Sequence, residues 1–410
     1  MSDFDIDQIN MVDPFKILTR EARANPQAIY ARMRDQDPVH CAMGPVTGNN
    51  FWFITRYDDC VAALKNQMFG KEFRKRLPAD MVAKFGPEEP AFVMMNQNML
   101  FVDPPDHTRL RSLVHKAFTP RMIDNLRPRI QTIADDLLDK MGSSGETDLL
   151  DSFAFPLPIT VIAELLGIPA SDQNQFREWT RGMMFSADME EINLAALSFV
   201  MYMHQMFDDR RLHPQEDLIS GLVAVEEAGD KLSTEELISM VFLLLVAGHE
   251  TTVNLIGNGT LALLQHRDQL AKLRQEPTLI KNAVEEMLRY NGPIEAATTR
   301  WAFDNVRVGD KTIPLGDQVF VALASANRDP AVFADPDKFD ITRAEASKHI
   351  GFGNGLHYCL GAPLARMEGT IAINALVQRL PHLDLAVPTT DLKWSESILL
   401  HGMAQMPVRY

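Results

Sequence analysis

The segment LSTEELISMVFLLLVAGHETTVNLIGNGTLALLQH, Leu232 to His266, constrains the fold more than any other. Ser233 and Glu236 form a capping box, in which each side chain serves the other's backbone N–H. From there the pattern predicts about nine turns of helix at 3.6 residues per turn. Its middle is apolar nearly all round, so it belongs inside a protein with a sizeable core. The continuous apolar run, MVFLLLVAG from Met240 to Gly248, is far shorter than the roughly 18 residues of a membrane span.

Helical signals dominate elsewhere too. Asn25 and Pro26 read as N-cap and first helical residue. TPRMIDNLRPRIQTIADDLLDKM carries apolar residues at three- and four-residue spacing. Strand signals are few: FWFIT from Phe51, a hairpin in NVRVGDKTIPL turning at Gly309-Asp310, QVFVALAS, and a weak alternation at the C-terminus. No repeat, low-complexity linker or Gly/Ser-rich boundary interrupts the chain. The expectation is one large, mainly α domain over residues 1–410 with a minor β-rich region.

Net charge −15 argues against nucleic acid as a partner, because phosphate binding needs clustered Lys and Arg. Three cysteines without paired spacing fit a reducing cytosol. The first residues, MSDFDIDQINMVDP, have no basic residue before Lys16 and no apolar stretch, so no secretory signal is expected. These readings point to a soluble cytoplasmic protein with no membrane association.

One cysteine stands apart. HIGFGNGLHYCLGAPLAR, His349 to Arg366, surrounds Cys359 with glycines. A lone cysteine is ordinarily a small buried hydrophobe. Zinc would need a second ligand pair beyond His357 and Cys359. A nucleophile would need a base and an oxyanion hole. Gly351, Gly353 and Gly355, by contrast, let the backbone turn tightly and approach a flat surface. LGAPLARMEGTIAINALVQRL then reads as a helix with Pro363 in its first turn. Cys359 sits at its N-terminus, where the dipole favours thiolate. A thiolate on a glycine loop facing a flat, bulky object suggests an axial ligand to haem iron.

The segment FGNGLHYCLG, Phe352 to Gly361, resembles the haem-binding loop of the cytochrome P450 superfamily, F-G-x-G-x-H-x-C-x-G, at every specified position. Other segments agree. Ala247, Gly248, His249, Glu250 and Thr251 match [A/G]-G-x-[D/E]-T; the residues alone also allow a polar kink in the helix. Glu286 and Arg289 match E-x-x-R. Alone they could be a surface pair, but Val284, Met287 and Leu288 suggest a buried face.

The resemblance implies a P450 fold, with haem b between the long central helix and the cysteine-bearing loop and helix, and Cys359 as iron ligand. It assigns His107, Arg111, Arg300 and His357 to the haem propionates. Ala247, Phe352, Gly353 and Gly361 are placed against the haem, with Gly248 opening the helix wall. It gives Glu250 and Thr251 to proton delivery, and makes Glu286–Arg289 a structural ion pair. A third, arginine member usually completes that pair. Lys338 occupies its position in PDKFD, so Lys338, Arg328 and Arg343 all stay open.

The implied activity is monooxygenation: one atom of O2 enters a C–H bond of a small to medium apolar molecule. A haem-thiolate peroxygenase or isomerase, or a haem sensor, is the alternative. No G-x-G-x-x-G follows a strand, so electrons from NAD(P)H are expected through a separate ferredoxin or flavodoxin and its reductase, with the chain acting as a monomer. Arg109, Lys116, Arg121 and Arg366 read either as a docking patch for that partner or as scattered solubilising charge. By motif position Leu243, Val246, Ala247 and Ala296 are expected to face the substrate, and Leu399 in the C-terminal turn is a further candidate. PAFVMMNQNMLFV, Pro90 to Val102, with Met183, Met184 and Phe185, reads as an adaptable apolar pocket or as core.

Overall fold

The computed structural model describes residues 25–43, 50–185, 188–227, 232–395 and 397–410. The N-terminal stretch on which the absence of a leader was read lies outside them. The helices that carry the residues of interest are α1 (Asp106–Ala117), α2 (Thr234–Gln265), α3 (Ile280–Asn291) and α4 (Ala362–Arg379). The strands among the described residues are β1 (Val39–Met43), β2 (Asn50–Ile54), β3 (Phe69–Gly70), β4 (Glu146–Asp148), β5 (Arg300–Ala302), β6 (Val306–Val308), β7 (Lys311–Ile313), β8 (Gln318–Val321), β9 (Asp384–Leu385) and β10 (Pro407–Arg409). Backbone packing divides the chain into two compact units.

The first unit comprises Phe85–Pro128 and Pro158–Glu250, and its described elements are helical. Its core holds Phe176, Phe199 and Phe242, packed edge to face at 5.8 Å for each successive pair. The helix Met189–Leu212 starts at Asp188, whose carboxylate accepts from the Glu190 N–H at 2.9 Å.

The expected capping box opens α2. The Ser233 N–H donates to Glu236 at 2.8 Å, and the Glu236 N–H to Ser233 Oγ at 3.1 Å. The helix then continues unbroken through Gln265. By length and composition it could cross a membrane, but 61% of its apolar window is buried inside the protein.

The second unit comprises Ser2–Lys84, Arg129–Leu157 and Thr251–Tyr410. Its main sheet runs β1-β2-β8-β5-β3, with β2 and β8 parallel and the other neighbours antiparallel. Alternation sorts the strands onto two faces. Trp52, Ile54, Val319 and Val321 pack into one buried cluster, and Phe51, Phe53 and Phe320 into another.

The hairpin turns as expected at Gly309, whose φ of +58° suits a residue without a side chain. Two expectations needed correction. The strand in QVFVALAS stops at Val321, because Leu323–Ala326 winds into a helical turn. Asn25 precedes the helix Pro26–Gln36, but its side chain makes no capping bond.

Candidate functional site

The cysteine loop is built by two left-handed glycines, Gly353 at φ +74° and Gly355 at φ +72°. A side chain at Gly355 would also bring its Cβ within 3.0 Å of the Leu64 carbonyl. Gly355–His357 forms one 3-10 turn, and the Cys359 N–H then donates to the Phe352 carbonyl at 2.9 Å, closing the loop. Gly361 stands at the N-cap of α4, with proline in the first turn as expected. Cys359 is left half-buried.

The other two thiols are differently placed. Cys60 is fully buried, its sulfur directed at the Ile54 carbonyl at 3.1 Å, and burial pushes its thiol well above the ordinary value. Cys41 lies in β1, also pushed up by burial.

A set of polar residues clamps the loop from α3. Arg366 donates from Nε and Nη2 to Glu285 at 2.6 and 2.9 Å, and its guanidinium lies 4.5 Å from the centre of the Phe352 ring. His349 accepts the Gly351 N–H on Nδ1 at 3.0 Å, so its Nε2 carries the proton donated to Glu285 at 3.2 Å. Burial alone would raise the Glu285 carboxyl. Hydrogen bonds from His349 and Arg366, with the Arg366 charge, outweigh it and bring the group down to about 2.

At the next residue of α3 begins the E-x-x-R pair, wholly buried. Arg289 grips Glu286 from Nε and Nη2 at 2.7 and 2.8 Å, and also donates to the carbonyls of Asn327, Pro336 and Lys338. The open third position belongs to Arg343, whose Nε donates to Glu286 at 3.2 Å. Lys338 contributes only its carbonyl; its ammonium is exposed, 3.6 Å from Asp340. Arg328 lies over the Tyr290 ring at 3.6 Å and binds Asp337.

Arg300 is buried in β5, opposite Val319. Ala296 corrects the expectation that it faces substrate: at 1% exposure it is packed in the Phe51–Phe53–Phe320 cluster and has no surface to offer. Leu399 packs partly buried against the same cluster. A residue absent from the sequence reading is Glu368 on α4. Its carboxyl is fully buried, is pushed well above the ordinary value by that burial, and hydrogen-bonds Thr252.

In the first unit, His107 and Arg111 both lie on α1. His107 is fully buried. Burial first, then the Arg111 charge, pulls its imidazole down to about 4, against a smaller opposing effect of Asp103. It is therefore neutral at pH 7 and offers one N–H.

On α2 the neighbours Val241, Phe242 and Leu245 are buried, whereas Leu243, Val246 and Glu250 are half-buried and Ala247 is exposed. Spacings of three and four place these last on one helix face, so an open apolar stripe ends at a carboxylate. A Cβ at Gly248 would lie 3.1 Å from Ile162, so glycine there permits close packing. His249 turns inward, and its Nδ1–H donates to the Leu245 carbonyl at 2.8 Å.

In the methionine-rich stretch Met95 and Met99 are buried, as is Met183, whereas Met94 is half-buried and Val93 and Phe101 are exposed. The side chains of Met184 and Phe185 lie outside the described ones. Of the basic set, Arg109 is engaged by Glu236 and Arg366 by Glu285, while Lys116 and Arg121 are exposed.

A family model described as Cytochrome P450 matches residues 172–402. The polyketide biosynthesis cytochrome P450 PksS of Bacillus subtilis is 45% identical, over 95% of this chain and 96% of that protein. The cytochrome P450 monooxygenase PikC of Streptomyces venezuelae is 45% identical, over 96% of this chain and 93% of its own length. Among solved structures, the myxobacterial cytochrome P450 CYP267B1 in complex with myristic acid superposes with a TM-score of 0.90 at 46% identity, covering 97% of this chain and 99% of that one.

Proposed function

The chain belongs to the cytochrome P450 family, and on that footing we propose that Cys359 is its thiolate ligand to haem b. Members of the family carry haem on a cysteine thiolate and use O2, and this chain is a monooxygenase that oxidises an apolar organic substrate. The observation that carries the assignment of Cys359 is its loop, where two left-handed glycines and the Phe352 carbonyl hold a half-buried sulfur at the start of α4. That arrangement fits the flat group. The backbone around the sulfur is bare, and the other two thiols are pushed toward the neutral form by burial.

When bound, the haem supplies the iron chemistry that activates O2, with thiolate donation favouring O–O cleavage. The protein's own residues do the rest. His107, Arg111, Arg300 and His357 would hold the haem carboxylates, which need compensation when buried. Phe352, Gly353 and Gly361 line its cysteine side. Leu243, Val246 and Ala247 present apolar surface that excludes water and orients substrate. Glu250, half-exposed, takes protons from solvent at its carboxylate, and Thr251 Oγ1 passes them inward.

The reading extends to residues 1–410 acting as one cytoplasmic, monomeric monooxygenase. It takes electrons from NAD(P)H through a ferredoxin or flavodoxin with its reductase, for which exposed Lys116 and Arg121 give contact points. Its substrate is a small to medium apolar molecule. Turnover with a surrogate ferredoxin and its reductase under isotopically labelled O2 tests this. One labelled oxygen atom in the product is expected; NAD(P)H consumption with no labelled product from any apolar substrate would contradict it.

A further inference from the structure

β3 and β5 pair antiparallel, with Phe69 opposite Ala302 and Gly70 opposite Trp301. Lys71 directly follows β3, and Arg300 opens β5. Both cations are buried, at 8% and 3% exposure. Burying a cation is costly unless something compensates it.

The Lys71 ammonium is compensated by backbone. It donates to the Thr298 carbonyl at 2.8 Å, the Thr298 hydroxyl at 2.7 Å and the Thr299 carbonyl at 2.8 Å. Those contacts pin the two residues that lead directly into Arg300.

We propose that Lys71 is a positioning residue for Arg300: it fixes the Thr298–Thr299 backbone, so that the guanidinium is preset for a carboxylate of the haem. This rests on the assignment of Arg300 to that carboxylate. A buried guanidinium favours an anion over a neutral group, so by holding Arg300 in place Lys71 makes this site discriminate between charged and uncharged forms of one ligand.

The test compares loss of haem, and of haem dimethyl ester, from the loaded full chain to a high-affinity acceptor. The wild type should retain haem at least tenfold longer than the ester. Lys71→Met should shrink that ratio by speeding haem loss while leaving ester loss unchanged, and Lys71→Arg should restore it. Equal acceleration of both losses marks a merely structural lysine and overturns the proposal, as does an unchanged ratio.

Thr298→Val keeps the charge but removes one acceptor, and should shift the ratio in the same direction. It carries the test should Lys71→Met fail to fold, with an unchanged ratio counting against the proposal. Arg300→Leu, run in parallel, separates the two levels. If it leaves the ratio intact, the Arg300 assignment fails; if it abolishes the ratio while Lys71→Met does not, only the role of Lys71 fails.

Discussion

Arg343 Nε lies 3.2 Å from Glu286 Oε1, so the carboxylate that Arg289 grips is also held from the irregular stretch beyond Lys338. The Asp340 N–H donates to the same oxygen at 2.9 Å. A wholly buried carboxylate is thus surrounded by donors, the condition under which a buried charge is tolerated.

Removing one of those donors should be felt. Arg343→Leu is expected to destabilise the fold by about 1–3 kcal/mol, since it leaves part of a buried charge unsatisfied. Lys338→Ala should fall within about 0.5 kcal/mol, as a surface change away from special features does. Denaturant unfolding of the two variants checks the assignment. Equal losses would return the third position to Lys338.

The Glu285 clamp predicts acid sensitivity. Its folded value of about 2 lies below its ordinary value of 4.5, so its contribution is present above 4.5 and lost as pH falls toward 2. Stability of the wild type should therefore drop more steeply across that window than that of Glu285→Gln, which should be less stable at pH 7. Parallel slopes for the two would contradict the clamp.

Glu368 predicts the opposite sign. Burial raises its carboxyl, so the folded state keeps a proton that the unfolded state releases above about 4.5. This residue costs stability as pH rises from there. Glu368→Gln preserves shape without the ionisable proton and should gain stability relative to wild type between pH 5 and 8. A constant difference across that range would show that the carboxyl ionises in place.

Thr251→Ala should bind haem and substrate as the wild type does, yet release reducing equivalents as hydrogen peroxide in place of product. Glu250→Gln should slow turnover by roughly 10²-fold, the usual scale for losing a proton-transfer group. Product formed per NAD(P)H consumed is the measurement. Full coupling in Thr251→Ala would remove that residue from proton delivery.

What the sequence made legible was local. The capping box of Ser233 and Glu236, the glycine turn before Cys359 and the helix after it all depend on neighbours a few residues apart, and the structure contains each. The Glu286–Arg289 pair was legible for the same reason, three residues being one helical step. Its completion by Arg343 was not, because a residue 57 positions away is brought there by tertiary packing.

Glu368 with Thr252, and Lys71 with Thr298 and Thr299, are of the same kind: no spacing joins them until the fold does. Ala296 failed differently. Motif position indicated where its backbone would be, but its surroundings, an aromatic cluster, are set by side chains from other elements.

The central claim is that Cys359 ligates haem iron as a thiolate. The absorption spectrum of the reduced, carbon-monoxide-bound protein tests it most directly, read for the wild type and for Cys359→His. The wild type should show the red-shifted Soret band of thiolate-ligated haem, and Cys359→His should move it to the position of histidine ligation. A histidine-type band in folded wild type, or a thiolate band surviving in Cys359→His, would contradict the account.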